Sequence, residues 1–478
     1  MAVDHSTQLH VAMFPFFAFG HVSPYIQLSN KLSSHGVRIS FLTIPGFISR
    51  VQDLLIPSPN TRIIPIQIPP SIPGLSPDVA GTADLPPSDA VKLITAIDLT
   101  QPQIRTILSD LKPHFVLFDF AQHWLPSLAS DLGIKALIFS VFSAIANAYA
   151  IVPTRLAGVE GRPVTADDLV KPPPGFPTSS FHGGRLIKTF EARSFAFVYE
   201  PVEGSLSNYD RVQEGINGCS AMVLKTCSEM EGPYIDYMKI QFRKPFILTG
   251  PLVPEPPSRE LDPKWAQWLA LFPAKTVVFC SFGSETFLTR EQIRELALGL
   301  ELTGLPFLLV LNFPANVAGG GWAELERSLP EGFLKRVKDR GFVHVGWVPQ
   351  QLILAHTSIG CYLFHVGFSS VIEALVNDCQ LALLPIKSDQ FFNSRLVGET
   401  GILKAGVEVK LRDEDGYLGK EEILAAVKTV MVDVDVEPGR SIRLNQQKWR
   451  KFLLNKNVQD KFISNMVSEM KKMKNGVV

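Results

Sequence analysis

Short apolar runs alternate with amphipathic helical segments along this chain, and no other feature constrains its fold as much. The segment between the first two runs reads as an amphipathic helix that carries Ile26, Leu28 and Leu32. The order strand, helix, strand predicts a parallel, doubly wound α/β sheet, because parallel strands need a crossover connection. The runs that we interpret as strands in the first half span residues 11–17, 37–43, 115–120 and 136–139.

A proline-rich segment at residues 250–258 interrupts this alternation and reads as an extended linker. The pattern then restarts, and 478 residues are more than one hydrophobic core usually organises. We therefore predict a first domain over residues 1–249, a second over 250–455, and a helix at 456–478 that packs back on the first domain. The strands predicted in the second half span residues 277–280, 307–311, 343–346, 359–364 and 381–384, with a helix over 290–302.

Composition excludes several classes of function. Basic and acidic residues number 46 each, which disfavours a nucleic-acid partner. The five cysteines are scattered without a C-x-x-C pair, which argues against a disulfide framework and favours a reducing compartment. The chain starts without a signal-peptide pattern, and Ser140, Ser143 and Asn147 interrupt the apolar stretch 136–153. We expect a cytoplasmic monomer without stable membrane insertion.

His21 is the first candidate for chemistry, because it follows a glycine turn after the first predicted strand. Ser23 is expected to cap the next helix, with Pro24 at its first position. The positive end of that helix would keep the imidazole neutral and able to accept a proton. A histidine that serves only as a hydrogen-bond donor in a loop is the alternative.

Asp119 ends the predicted strand 115–120, and a buried carboxylate there requires a partner. His21 is one candidate, because both residues follow strands of one predicted sheet. The pair would form a base oriented by an acid, able to deprotonate a hydroxyl. His114 and His123 are rival partners.

A predicted helix start in the second half suits a diphosphate bound without a metal. Gly367 permits close backbone approach, and Ser369 and Ser370 offer hydroxyl and N–H groups at the positive helix end. His365 precedes them. Ser284, in a turn after an earlier strand, is a weaker phosphate candidate that an ordinary tight turn explains equally well.

Glu373 has two explanations that the sequence does not separate. The spacing from Ser370 matches a capping box, in which the carboxylate would bond to the backbone at the helix start. The same carboxylate could instead hold two ribose hydroxyls.

Side chains suited to binding a nucleobase and a sugar lie on either side of this helix start. Trp347 is an aromatic plate, and Asp389 with Gln390 offers acceptors and donors to vicinal hydroxyls, although an ordinary polar loop is the alternative. The D-x-D patterns at 413–415 and 433–435 resemble metal-binding motifs but read as polar turns. We expect no metal and no cofactor.

These motifs resemble, in order and spacing, the plant secondary-product UDP-glycosyltransferases of glycosyltransferase family 1. The matching stretches are 14–21, 118–119, 281–284 and 347–393, so the resemblance covers the whole chain. It implies the GT-B fold, in which two Rossmann-like domains face a cleft. The first would bind an acceptor and the second a UDP-sugar, in an inverting, metal-independent displacement.

The resemblance also implies a role for each matching residue. His21 would be the base and Asp119 its charge-balancing partner. Trp347 would stack on uracil and Val348 would pair with it through its backbone. Gln350 and Glu373 would hold the ribose, and Asp389 and Gln390 would contact the donor sugar. The diphosphate would lie among Ser284, His365, Gly367, Ser369 and Ser370. Ser140 would contact the sugar or a phosphate.

Two departures from the family pattern concern the donor. Ser369 replaces an asparagine that contacts donor oxygens, and Lys387 replaces a tryptophan of the glucose pocket. Residues 118–121, 365–373 and 378–380 most resemble the branch that adds a sugar to a sugar, especially anthocyanin and flavonoid 3-glucoside rhamnosyltransferases. The implied reaction joins UDP-rhamnose to a phenolic glucoside.

Alternatives remain at this point. The donor could be UDP-xylose or UDP-glucose, and the fold could serve a sugar-nucleotide epimerase or a non-catalytic binder. A nicotinamide oxidoreductase is disfavoured, since no G-x-G-x-x-G follows a strand. The acceptor pocket is expected in the loops 70–87 and 172–185, whose apolar side chains suit a hydrophobic phenolic glycoside.

Overall fold

The computed structural model describes residues 8–70, 72–76, 79, 81–86, 89–159, 162–178, 185–201, 204–257, 259–314 and 316–476. Two sheets organise these residues, and every strand pair within each sheet is parallel. The first sheet comprises β1 His10–Phe14, β2 Arg38–Thr43, β3 Thr61–Pro65, β4 Phe115–Phe118, β5 Lys135–Ser140, β6 Ala221–Leu224 and β7 Phe246–Leu248. The second comprises β8 Val277–Ser281, β9 Phe307–Leu311, β10 Gly341–Val345, β11 Ile359–Phe364, β12 Gln380–Leu383 and β13 Val407–Glu408.

Helices connect the strands and cover the faces of both sheets. Those of the first half are α1 Phe19–Ser34, α2 Pro45–Leu54, α3 Ala90–Asp98, α4 Gln101–Leu111, α5 Leu125–Asp131, α6 Ala144–Ala150, α7 Ala166–Val170, α8 Thr189–Phe195, α9 Asn208–Gly218 and α10 Ser228–Phe242. Those of the second half are α11 Pro263–Leu269, α12 Arg290–Leu302, α13 Gly320–Ser328, α14 Phe333–Arg336, α15 Gln350–Leu354, α16 Phe368–Val376, α17 Gln390–Val397, α18 Lys420–Met431, α19 Gly439–Leu453 and α20 Lys456–Lys474.

The two sheets share one strand order. It is β3-β2-β1-β4-β5-β6-β7 in the first sheet and β10-β9-β8-β11-β12-β13 in the second. The order reverses between β1 and β4, and again between β8 and β11, and ligands of such sheets bind at the carboxyl ends of the strands flanking this point. The topology therefore places one potential binding crevice in each half.

The core continues from one half into the other. On β8, Val277 and Phe279 point into the cluster that also contains the first sheet, while Val278 and Cys280 point into a separate cluster of the second half. Because both faces are buried, these strands are continuously apolar. The shared cluster joins the two sheets through apolar contact rather than through the linker alone.

The last helix, α20, packs on the first half of the molecule. Phe462 lies against Gly250, where a Cβ atom would overlap its ring. His35 at the end of α1 lies 3.3 Å from Ser464 Oγ and 3.1 Å from Asp460 Oδ1. The predicted domain bounds stay a prediction, but these contacts are those expected of a helix that returns to the first sheet.

Several details differ from the sequence prediction. Helix α1 begins at Phe19 behind Ala18, so Ser23 and Pro24 lie inside the helix and the predicted cap is wrong. Parts of the loops 70–87 and 172–185, where we expected the acceptor pocket, lie outside the described residues. None of the helices in the described ranges is both long and apolar enough to cross a membrane.

Candidate active site

His21 and Asp119 form the hydrogen-bonded pair expected from the sequence. His21 Nδ1 lies 2.8 Å from Asp119 Oδ2, and both side chains are largely buried. The carboxylate also accepts from the backbone N–H groups of Phe16 at 3.2 Å and Phe120 at 2.8 Å. With Asp119 holding Nδ1–H, the imidazole presents its Nε2 lone pair, the geometry of a general base.

The rival partners of Asp119 are engaged elsewhere. His114 Nδ1 accepts from the backbone of His10 at 3.0 Å, and His123 Nδ1 lies 2.7 Å from Glu214 Oε2. His21 itself lies in the first turn of α1.

The pKa of His21 shifts in the direction opposite to that expected from the helix end alone. Burial disfavours the imidazolium, but the charge of Asp119 and its hydrogen bond outweigh this effect, so the pKa of His21 is raised above its ordinary 6.5. Glu285 and Asp389 act in the same direction. The sequence argument considered the helix dipole, which lowers the pKa, and left out the contacting carboxylate, which raises it.

Three aromatic rings surround the His21 imidazole. The ring centroids of Phe16 and Phe120 each lie 5.4 Å from it, and that of Phe142 lies 5.3 Å away. This apolar wall excludes water around the base and suits a hydrophobic acceptor.

The predicted donor-sugar group lies beside the base. Asp389 precedes α17, accepts from Asn393 Nδ2 at 2.9 Å, and has a pKa raised by burial despite the charge of His21. Lys387 Nζ donates to the backbone oxygen of Glu285 at 2.5 Å, and burial lowers the pKa of this lysine. Glu285 and Asp389 thus bring two acids from the second half near His21, and Lys387 is a cation that interacts with both of them.

Gln390 and Ser140 have other partners. Gln390 Oε1 accepts from the backbone of Ile386 and Lys387 at 3.0 Å, and its Nε2 donates to Thr286 Oγ1 at 3.2 Å. Gln390 therefore shapes the loop that carries Lys387. Ser140 Oγ exchanges hydrogen bonds with the Asn147 amide at 3.0 and 3.1 Å.

His365 is held between two glycines. A Cβ atom at Gly283 would lie 3.0 Å from its Cε1, and one at Gly367 would lie 2.8 Å from its Nε2. Burial lowers the pKa of His365 to about 4, and Nδ1 has no hydrogen-bond partner among the described residues. The adjacent Val366 has φ of +63°, a rare conformation for a β-branched residue that marks a constrained turn.

Glu373 faces Gln350 rather than the start of its own helix. Its carboxylate accepts from Gln350 Nε2 at 2.7 Å and Gln351 Nε2 at 3.4 Å, and α16 begins at Phe368 without a side-chain cap. The capping-box reading is wrong, since Ser370 lies inside the helix. Burial raises the pKa of Glu373.

One further predicted donor residue contacts the amide that holds this carboxylate, and the others lie on neighbouring segments of the chain. Gln350 Nε2 also lies 3.3 Å from Ser370 Oγ, which joins the predicted ribose and phosphate groups. Val348 is buried and its carbonyl accepts from Gln350 N at 2.8 Å. Trp347 is 71% exposed, so its ring is accessible for stacking by a nucleobase. Ser284 lies in the turn that follows β8.

Lys225 is a residue of this site that the sequence reasoning missed. It directly follows β6, and its Nζ donates to Ser369 Oγ at 2.6 Å in the first turn of α16. The apolar run of residues 221–224, which ends in this lysine, was the signal that could have revealed it.

Within the described ranges, no three His, Cys, Asp or Glu side chains are grouped closely enough to hold a metal ion. In the first D-x-D pattern, Asp413 lies 2.9 Å from Lys188 Nζ and Asp415 pairs with Arg412, and in the second, Asp433 lies 3.9 Å from Lys428 Nζ.

The shared sheet order and the residues at both crevices define a two-lobed α/β fold of the GT-B class. The fold resembles the crystal structure of Arabidopsis thaliana UGT89C1 complexed with UDP-L-rhamnose, with a TM-score of 0.71. That match has 23% identity and covers 97% of this chain and 99% of the other. It supports the predicted fold class, which is confirmed.

Sequence comparison identifies the family. Residues 237–437 match the family model described as UDP-glucoronosyl and UDP-glucosyl transferase. An anthocyanidin-3-O-glucoside rhamnosyltransferase of Petunia hybrida is 57% identical, with 98% of both chains covered. An anthocyanidin 3-O-glucoside 2''-O-glucosyltransferase of Ipomoea nil is 39% identical over 96% of this chain and 97% of its own length. The chain belongs to the UDP-glycosyltransferase family, an inverting family of enzymes, as its motifs predicted.

Proposed function

We propose that this enzyme transfers rhamnose from UDP-rhamnose to a sugar hydroxyl of a phenolic glucoside, such as a flavonoid, anthocyanin or phenylpropanoid glucoside. The 57% identity to the Petunia rhamnosyltransferase carries the choice of donor and acceptor. The choice is supported by Lys387 at the position of the family's glucose-pocket tryptophan, where its Nζ bonds to the backbone of Glu285, an acid that acts on His21.

In the proposed reaction, His21 Nε2 removes the proton of the acceptor hydroxyl while that oxygen attacks the anomeric carbon. The bond from this carbon to the diphosphate oxygen breaks, and UDP leaves with inversion. Asp119, 2.8 Å from Nδ1, balances the imidazolium that forms. The raised pKa of His21 makes it a stronger base than a free histidine.

The donor would lie against the second half. In this proposal Trp347 stacks on uracil, Val348 pairs with it, and Gln350 with Glu373 holds the ribose. The diphosphate lies among the residues at the start of α16 and in the turn after β8, and Asp389 binds the donor sugar. The contacts that support the arrangement join Gln350, Glu373 and Ser370 within one network.

We propose that transfer needs neither a metal nor a cofactor, because helix dipoles and N–H groups can stabilise a leaving diphosphate. Enzyme treated with a chelator is expected to keep its full rate, and a rate restored only by added Mg²⁺ would contradict this.

A monomer in the cytoplasm is also proposed. Its five free, buried cysteines suit a reducing compartment, and sedimentation would measure the oligomeric state.

Donor competition tests the proposed function. Purified enzyme is given UDP-rhamnose, UDP-xylose and UDP-glucose at equal concentration with a panel of phenolic glucosides and their aglycones. We expect a rhamnosyl-glucoside as the main product and little product from the aglycones. Preferential use of UDP-glucose or UDP-xylose would favour the second candidate, the same chemistry with another donor. The Ipomoea relative supports that candidate.

A further inference from the structure

Lys225 is a buried cation to which none of the roles above assigns a function. Its side chain belongs to the first half but reaches Ser369 of the second, 2.6 Å away, and the residue is 1% exposed. Among the described residues, no carboxylate oxygen lies within the 4.0 Å of a salt bridge from its Nζ. An ammonium has three donors, and the Ser369 hydroxyl uses one of them.

The surroundings of this ammonium favour an anion. Lys225 faces the N-terminal turn of α16, whose dipole is positive, so lysine and helix repel one another. Glu373 is the acid that attracts it, but that carboxylate already accepts from Gln350 and Gln351. Burial lowers the pKa of Lys225 to about 7, and the charge of Glu373 offsets only part of this effect.

A second group without a partner belongs to the same region. His365, separated from α16 by Val366 and Gly367, has a buried Nδ1 with no hydrogen-bond partner among the described residues. A buried ammonium, a helix start and an unpaired imidazole nitrogen thus occur together where we place the diphosphate.

We propose that Lys225 binds the diphosphate of the UDP-sugar, so that the first half of the chain contributes a cation to the donor site. This inference rests on the donor placement in the proposed function. It also gives a reason for Ser369, where the family resemblance predicts an asparagine. The short serine side chain leaves room for the lysine, and a charged donor replaces the lost amide.

Binding of UDP and of uridine distinguishes a phosphate contact from a structural role. Calorimetric titration would compare the full-length protein with Lys225→Met, Lys225→Gln and Lys225→Arg, and with Lys239→Met as a control on an exposed surface. We expect UDP affinity to fall about 10- to 100-fold in the Met and Gln variants, the loss of one charge-assisted bond. Uridine affinity should not change, and the Arg variant should keep most of the affinity for UDP.

Thermal melting gives a second, independent reading. Removing a buried, unpaired charge should leave the ligand-free Met variant as stable as the wild type or more stable, while UDP raises its Tm less. A lower Tm with unchanged UDP affinity, an equal loss of UDP and uridine binding, or failure of both neutral variants to fold would each show that Lys225 is structural. Failure of the wild type to bind UDP would instead overturn the proposed function.

Discussion

Asp119 illustrates how a single carboxylate sets the properties of a base. It holds the proton of His21 on Nδ1, anchors the backbone of Phe16 and Phe120, and raises the histidine pKa against the effect of burial. The sequence predicted the pair, because both residues follow strands that meet at one sheet edge. It did not predict that the pKa of His21 is raised, since Glu285 and Asp389 from the other half also contribute to this shift.

Replacing Asp119 with Asn should lower kcat/KM by about 10²- to 10⁴-fold, the usual contribution of general-base catalysis. The acidic limb of the pH profile should also move. In the wild type it lies above pH 6.5, because the base must be neutral and its pKa is raised. Without the Asp119 carboxylate, burial has the larger effect on the pKa of His21 and lowers it. The acidic limb therefore shifts to lower pH.

Glu214→Gln is the matched control, because it removes the carboxylate from another histidine pair, at His123, outside the site. It should change neither the rate nor the profile. An unshifted acidic limb in Asp119→Asn would show that His21 is not the titrating base.

Lys387→Trp should shift donor preference from UDP-rhamnose toward UDP-glucose, because it restores the ring found in the family's glucose pocket. The ratio of kcat/KM for the two donors measures the shift. Lys387→Met removes the same charge without adding a ring and should not favour glucose. If both variants keep the wild-type ratio, Lys387 does not determine the donor.

At the scale of elements, most of the strands were predictable and four were not. Strands β9 and β11 and helix α12 match their predicted bounds, because buried parallel strands and amphipathic helices carry strong patterns. Strands of two to five residues, β3, β6, β7 and β13, were missed. The consequence was functional, since Lys225 follows β6.

The start of α16 shows a second limit. The spacing of Ser370 and Glu373 fits a capping box, yet the helix begins two residues earlier, and Glu373 bonds to Gln350 on another element. A local pattern cannot reveal that a partner distant in sequence competes for the same carboxylate.

Helix α20 should contribute strongly to stability through its contact with the first half. Met466→Ala removes a fully buried side chain of α20 and should lower the free energy of unfolding by about 2–5 kcal/mol. Leu454→Ala, at a residue 47% exposed, is the control and should have little effect. Urea denaturation measures both, and equal losses would contradict the packing of α20.

At the scale of the whole molecule, buried polar contacts hold the two halves in a fixed relation. Ser143 Oγ lies 2.6 Å from Asn393 Oδ1, and Thr82 Oγ1 donates to Glu285 at 2.6 Å. Arg395 of α17 bonds to Glu191 of the first half at 2.7 and 3.0 Å. The sequence predicted two halves facing each other but not these contacts, whose residues lie far apart along the chain.

Arg395→Met should lower the free energy of unfolding by about 3–5 kcal/mol, because it leaves the 1%-exposed Glu191 buried without its cation. Lys239→Met breaks an exposed pair with Asp236 and should change stability little. Denaturation curves in urea give both values. A loss no larger than that of the control would show that the Arg395 pair does not hold the halves together.

Because α20 follows the second half in sequence but packs on α1 and β7, the first half of the molecule is built from two separate stretches of sequence. An engineer who exchanges halves between relatives by a single cut in the linker would place a foreign helix on the first half. Exchange of residues 250–455 alone retains the native α20, so α20 still packs on its own α1 and β7. Donor preference could then be transplanted without disturbing the helix that carries the base.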